Sequence, residues 1–280
     1  MNGCGNDFIV IDNRDNKLEG FNLPEFVKRV CQRRVCVGAD GLLLLENSSI
    51  AHFKMRYFNS DGSEGEMCGN GARCLCRFAY LIGAAPEQMS FETAAGVHHA
   101  RVQGSQVRLE LPNVSLSQFA LGCDCVVCGQ SRKVHCSVVG VPHAVVLETN
   151  VMAKAPDRVR QEARAIASRR EMFPQGTNVN FVEVRDRHNL IVRTYERGVE
   201  DETLACGTGS TAAAIVAALL GLAEAPVAVR TRGGVLRVNF DITGSWVANV
   251  TLEGEARVVA TGHIVQEGWE DAGLSGRTLS

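Results

Sequence analysis

Short apolar blocks set between glycine-containing turns run along this chain, and one arrangement of them occurs twice. Phe8 to Ile11 is a short apolar strand after the turn chemistry of Gly3-Cys-Gly-Asn. Pro24 opens an amphipathic helix expected through Arg34, with Phe26, Val27, Val30 and Cys31 on one stripe. Leu42 to Leu45 is a continuous apolar run of strand length, the pattern of a strand buried on both faces. Phe53 to Phe58 is a further strand, leading into the turn Asn59-Ser-Asp-Gly-Ser and then Cys68. Leu75, Phe78, Ala79 and Ile82 follow at helical spacing, and Gly83 ends that helix.

The second copy begins at Tyr195. Residues 57–97 and 195–235, compared without a gap, share 12 identities in 41 positions, and Cys68 falls on Cys206 at an offset of 138. The helix after Cys206 differs from its twin, because Ala212 to Leu220 has no polar face. A helix that is apolar all round must be enclosed on every side. Strands flank it in sequence at Val179–Val184, Asn189–Tyr195, Val227–Thr231, Leu236–Asp241 and Trp246–Leu252. The expected fold is therefore α+β: two pseudo-symmetric domains from an internal duplication, each a curved mixed β-sheet wrapped around a central helix. The halves are placed at 1–118, completed by a final strand near 255–264, and at 119–265. They join in the stretch Ser115 to Arg132, where strand signals weaken, and a loose tail is expected over 266–280.

Composition narrows the class. With 29 basic and 31 acidic residues the chain has no electrostatic footprint for nucleic acid or an anionic membrane. No apolar run approaches a membrane span. Eleven cysteines, an odd number in an otherwise ordinary core-forming composition, read as reduced thiols. A cytoplasmic protein acting on a small molecule is expected, with a homodimer as an open assembly.

The repeated cysteines carry the chemistry. A cysteine just before Gly-x-Gly at a helix start lies where unpaired N–H groups and the helix dipole favour negative charge. Such placement lowers a thiol pKa from about 8.5 toward roughly 3.5–7.5. The glycines admit a ligand close to the backbone, where the N–H groups suit a carboxylate. Two such motifs related by duplication suit inversion of a tetrahedral carbon, in which one thiolate removes a proton and the other thiol returns one to the opposite face.

These residues resemble the diaminopimelate epimerase family nearly end to end. The carriers are Gly5-Asn-Asp-Phe-Ile-Val-Ile-Asp12, Gly38-Ala-Asp40, Phe58-Asn-Ser-Asp-Gly-Ser63, Cys68-Gly-Asn-Gly-Ala-Arg73, Pro142-His143, Asn178, Tyr195-Glu-Arg-Gly198 and Cys206-Gly-Thr-Gly209. The resemblance implies cofactor-independent and metal-independent interconversion of LL- and meso-diaminopimelate, with Cys68 and Cys206 as catalytic thiols. It puts Asn6, Asn59, Asn178, Glu196 and Arg197 on the substrate and the backbone at Gly69-Asn70 and Gly207-Thr208 on the reacting carboxylate. His143 is a candidate auxiliary. Two departures stand out. Val141 occupies a position where the family commonly has Asn, and Met1 almost abuts Gly3, so a first strand is missing or the start lies upstream.

Two other readings compete. One is a racemase or isomerase of another small carboxylate on the same scaffold. The other is a zinc or redox protein using Cys123, Cys125, Cys128, His135 and Cys136, whose spacing suits metal ligands and hairpin packing equally. Cys74 and Cys76 read as core filling, and Arg73 and Arg77, on one helix face, are expected to pair with acids.

Overall fold

A computed structural model describes residues 1–269 of the chain. It contains four α-helices among those residues: α1 (Leu23–Val30), α2 (Gly69–Leu81), α3 (Pro156–Ala167) and α4 (Gly207–Leu219). Two compact units divide it: Met1–Leu109 with the stretch from Gly254 onward, and Glu110–Glu253.

In the first unit, strand Asn6–Asp12 runs parallel to Gly41–Glu46, with Phe8 opposite Gly41. Gly41–Glu46 pairs antiparallel with Phe53–Asn59, placing Leu43 opposite Tyr57. Past α2, Gln88–Thr93 returns parallel to Phe53–Asn59 and forms a hairpin with Gly96–Gln103. The apolar run Leu42–Leu45 is fully buried because the sheet is covered on both sides. Successive strand side chains point to opposite faces. Leu43 and Leu45 therefore pack with Ala72 and Leu75 of α2, while Leu42 and Leu44 pack with Phe26, Val27 and Val30 of α1.

The second unit repeats the plan. Val141–Leu147 runs parallel to Asn178–Asp186, which pairs antiparallel with Asn189–Glu196. After α4, Val227–Arg230 runs parallel to Asn189–Glu196 and turns into Val235–Thr243. Every residue from Gly209 to Ala217 of α4 is buried, as its uniform apolarity requires. Strands 130–139, 141–147, 178–186, 189–196, 227–230 and 235–243 all lie against it. The α3 helix covers the other face, with Val159, Ala163 and Ile166 packed on Ala144, Val146 and Phe181.

Four expectations need correction. Helix α1 stops at Val30, a turn short of Arg34, because Arg34 takes φ +71 and the Gly38 and Ala39 N–H groups bond the Val30 and Cys31 carbonyls. Ile82 lies past the end of α2 and is exposed. The stretch Ser115–Arg132 is not a loose join. It carries strand Phe119–Val127, which forms a long hairpin with Gln130–Val139, turned at Cys128 (φ +49) and Gly129 (φ +79). Nor does a loose tail begin at Gln266: Gln266–Gly268 is a 3-10 turn and Trp269 is buried against Phe21 and Phe26. The remaining tail residues, 270–280, lie outside those described.

Candidate active site

The two repeated cysteines occupy the same structural position. Cys68 is the N-cap of α2 and Cys206 the N-cap of α4, both in extended backbone conformation, and the two helices are of equal length. Each cap carbonyl accepts the first helical bond, from Ala72 N–H at 2.7 Å and Ser210 N–H at 2.9 Å. Neither thiol caps its own helix with a side-chain bond. The sulfur atoms are therefore held at helix starts without being spent on capping.

In the first unit, Gly62 (φ +88) lets the turn before Cys68 pass against α1, since a Cβ there would lie 2.3 Å from the Pro24 carbonyl oxygen. Asn59 closes this turn: its amide donates to Ser63 Oγ at 3.0 Å and its oxygen accepts from Tyr57 OH at 2.6 Å. Asn70 donates to Asn6 Oδ1, and Asn6 donates to Asp40 Oδ2 at 3.1 Å. Asp40 and Asp7 are bound by the Arg33 guanidinium at 2.9 and 2.6 Å. Asn6 and Asn70, singled out in the sequence, thus share one hydrogen-bonded chain.

In the second unit, Asn178 donates toward Cys206 Sγ at 3.9 Å and accepts the Arg197 N–H at 2.9 Å. Thr208 Oγ1 lies 3.5 Å from the same sulfur. The Glu196 carboxylate accepts from Thr203 Oγ1 and lies in hydrogen-bonding reach of the Cys206 thiol. Burial pushes the Glu196 carboxyl up, and the two donors only partly hold it back. Arg197 is exposed, bonds the Gln175 carbonyl at 2.8 Å and packs over Gly176, whose φ of +75 no side chain would favour.

His143 is fully buried, and burial pushes its pKa down to about 3, so it is neutral. Its partner is Asn180, which the sequence reading passed over. The Asn180 amide faces the Ala144 carbonyl at 3.2 Å, which fixes it as the donor end. The same amide lies 3.2 Å from His143 Nδ1, making that nitrogen the acceptor and leaving the proton on Nε2. Asn180 Oδ1 accepts from Thr194 Oγ1 at 2.9 Å. A polar residue between Val179 and Phe181, in a strand buried on both sides, was the available signal.

Asn180 also explains Gly209. A Cβ at Gly209 would lie 2.3 Å from Asn180 Oδ1, which its hydrogen bonds hold in place. At Gly71, the twin position, the nearest atom would be a Leu43 methyl at 3.1 Å. Gly209→Ala should therefore destabilise the protein by about 1–3 kcal/mol in urea unfolding. Gly71→Ala should be close to neutral, since the gain in helix propensity of roughly 1 kcal/mol offsets a small side-chain shift. Equal effects would show that Asn180 gives way.

The rival cysteine constellation is brought together only in part, with Cys136 beside Cys123 and near Cys125. Cys125 packs in the core beneath α3, Cys128 is exposed at the hairpin turn, and His135 Nδ1 accepts from the Gly122 N–H at 3.2 Å. Cys136 adjoins Cys123, and burial pushes its thiol up to about 12. Among the described residues no group of histidine, cysteine and acidic side chains has an arrangement to hold a metal. Arg73 and Arg77 do not pair with acids as expected. Arg77 donates to the Ala256 carbonyl, and Arg73 to Asn70 and the Gly69 carbonyl.

Comparison with known proteins places this arrangement. A family model described as diaminopimelate epimerase matches residues 1–114 and 136–259. The diaminopimelate epimerase of Aquifex aeolicus (strain VF5) is 44% identical over 280 residues, spanning 95% of this chain and 97% of that protein. The fold is shared more widely. A Bacillus anthracis phenazine biosynthesis protein of the PhzF family superposes with a TM-score of 0.64 at 15% identity, over 91% of this chain and 92% of that one. A probable proline racemase from Agrobacterium radiobacter K84 gives 0.61 at 17% identity, over 88% and 86%. At such identities these two likenesses speak for the fold, and the fold has two duplicated domains. With a family match across most of its length and a relative this similar, the chain belongs to the diaminopimelate epimerase family of isomerases.

Proposed function

We propose that the protein interconverts LL- and meso-diaminopimelate by a two-base mechanism in which Cys68 and Cys206 are the acid–base groups, supplying a precursor for lysine and cell-wall synthesis. One observation carries the reading: the chain's duplication puts a cysteine at the N-cap of both 13-residue helices, 138 positions apart. Inversion needs a proton removed from one face of a carbon and another delivered to the opposite face, and a duplicated thiol meets that need in both directions. Negative charge developing on the adjacent carboxylate is stabilised by the N–H groups of the first helical turns, at Gly69-Asn70 and Gly207-Thr208. The reaction so described needs no cofactor.

An asymmetric substrate needs unequal surroundings, and the units differ where it matters. Glu196 and Arg197 stand in the repeat where the first unit has Phe58 and Asn59. Arg197 suits a distal carboxylate through its planar fork, while Glu196, Asn178, Asn59 and Asn6 offer acceptors for ammonium groups. Val141, which opens strand Val141–Leu147, offers no polar side chain and makes distal recognition here rely on the others.

The test is direct. Reduced protein supplied with pure LL-diaminopimelate should yield meso product by chiral chromatography, and meso substrate should yield LL. No conversion in either direction would overturn the reading. The rate should also be bell-shaped in pH, since one thiol must be ionised and its partner protonated. The two apparent pKa values then belong to the pair and not to named residues. A rate that climbs without a maximum would contradict the scheme.

A further inference from the structure

Arg73 is a cation in a place that disfavours cations. Its side chain is 0% exposed, and its guanidinium reaches back to the first turn of α2. There it donates to Asn70 Oδ1 at 2.7 Å and to the Gly69 carbonyl at 3.3 Å, both neutral acceptors, and its Nε has no partner. Burying a charge is costly unless an opposite charge offsets it, and the positive end of a helix dipole adds to the cost. An anion at that helix start would relieve all three penalties.

The other charged and titratable groups of this unit near that helix start do not supply it. Asp7 and Asp40, linked to Asn70 through Asn6, are already bound to Arg33; Glu64 is bound by Arg56, and Glu66 is exposed. The Cys74 thiol, with Cys4 and the Met1 amino group nearby, is pushed up to about 12 by burial and stays protonated. The second unit is built the opposite way. Thr211 holds the position of Arg73 in the repeat, and its neutral hydroxyl donates to the Gly207 carbonyl at 3.0 Å. Cys206 has the Glu196 carboxylate beside it, which a sulfur can approach as a donor only while it keeps its proton. Of the other titratable side chains described there, His143 is neutral, and the exposed Arg197 guanidinium is turned to the Gln175 carbonyl.

We infer that Arg73 is the counter-ion of a Cys68 thiolate, so that the resting protein keeps its ionised sulfur at the start of α2 and its protonated thiol at the start of α4. Arg73 is then a positioning residue for charge, acting through Cys68. Its consequence for turnover rests on the two-thiol reading: the resting enzyme is loaded to take a proton at Cys68 and give one from Cys206.

The experiment needs no substrate. The alkylation rates of Cys68 and Cys206 by iodoacetamide are followed across pH in the reduced protein, each read by peptide mass spectrometry. Cys68 should reach half-maximal rate at a lower pH than Cys206. Arg73→Met should move the Cys68 midpoint up by about one to three units, the usual reach of a close opposite charge, and leave Cys206 in place. Arg73→Lys, which keeps the charge, should restore most of the original midpoint. Cys206 ionising first in the unaltered protein overturns the inference, and so does an unmoved Cys68 midpoint in folded Arg73→Met. Should that variant fail to fold, the order of the two midpoints in the unaltered protein decides alone. Inactivity toward diaminopimelate with Cys68 ionising first would sink the proposed function and spare this assignment; activity with the reverse order would do the opposite.

Discussion

Replacing either Cys68 or Cys206 with alanine should reduce LL-to-meso conversion by at least about 10²–10⁴-fold, the span associated with a lost acid–base group. Each thiol acts once per turnover in the proposed scheme, so neither variant has a substitute for the missing group. The loss should not come from unfolding. Cys68 is partly exposed, and Cys206, although buried, sits in a cap position whose side chain makes no capping bond. Truncating a small side chain there should cost about 1 kcal/mol, leaving the circular dichroism spectrum intact and the urea midpoint little moved. The measurement pairs initial rates with unfolding curves for both variants. Substantial inversion by both folded variants would remove these thiols from the mechanism.

Isotope placement should distinguish two bases from one with almost complete contrast. In deuterated water the delivering thiol carries a solvent deuteron, whereas the abstracting thiol receives the substrate proton. Early in the reaction, meso product should hold one deuterium at the inverted centre. The remaining LL substrate should hold almost none, because reversal from the same face returns its own proton. A single base swinging between faces would carry substrate hydrogen into product. Mass spectrometry of both isomers at low conversion reads the difference. Product that keeps mostly its original hydrogen contradicts the two-base scheme, whatever the family.

The duplication is what makes the two candidate thiols legible in the sequence. Cys68 and Cys206 stand out because identical spacing around them is a property of the chain itself, and the structure shows both at the same cap. The strand Leu42–Leu45 and the enclosed helix α4 were equally readable, because a run without polar positions has only buried solutions. The hairpin Phe119–Val139 showed only as one of two readings of the Cys123–Cys136 spacing, because serine, glycine and aspartate mask an alternation whose buried members are cysteine, valine, histidine and serine. Trp269 was missed for a different reason. A lone tryptophan near a polar terminus has no local periodicity, and its burial depends on the pocket that Phe21 and Phe26 form far away in sequence.

The sequence by itself determined the repeat, the two thiols at helix starts, the alternation of strands around an apolar helix, and a charge balance without a basic face. All of these are local patterns or differences between aligned positions. Only the tertiary structure decided that Arg73 is buried with neutral partners, that Asn180 ties His143 to Thr194 beneath Gly209, and that Glu196 lies beside Cys206. Those facts depend on which side chains meet across strands far apart in sequence. The physical reason is that a polar or charged group has the same local pattern whether water or another side chain satisfies it, and burial alone makes the difference matter.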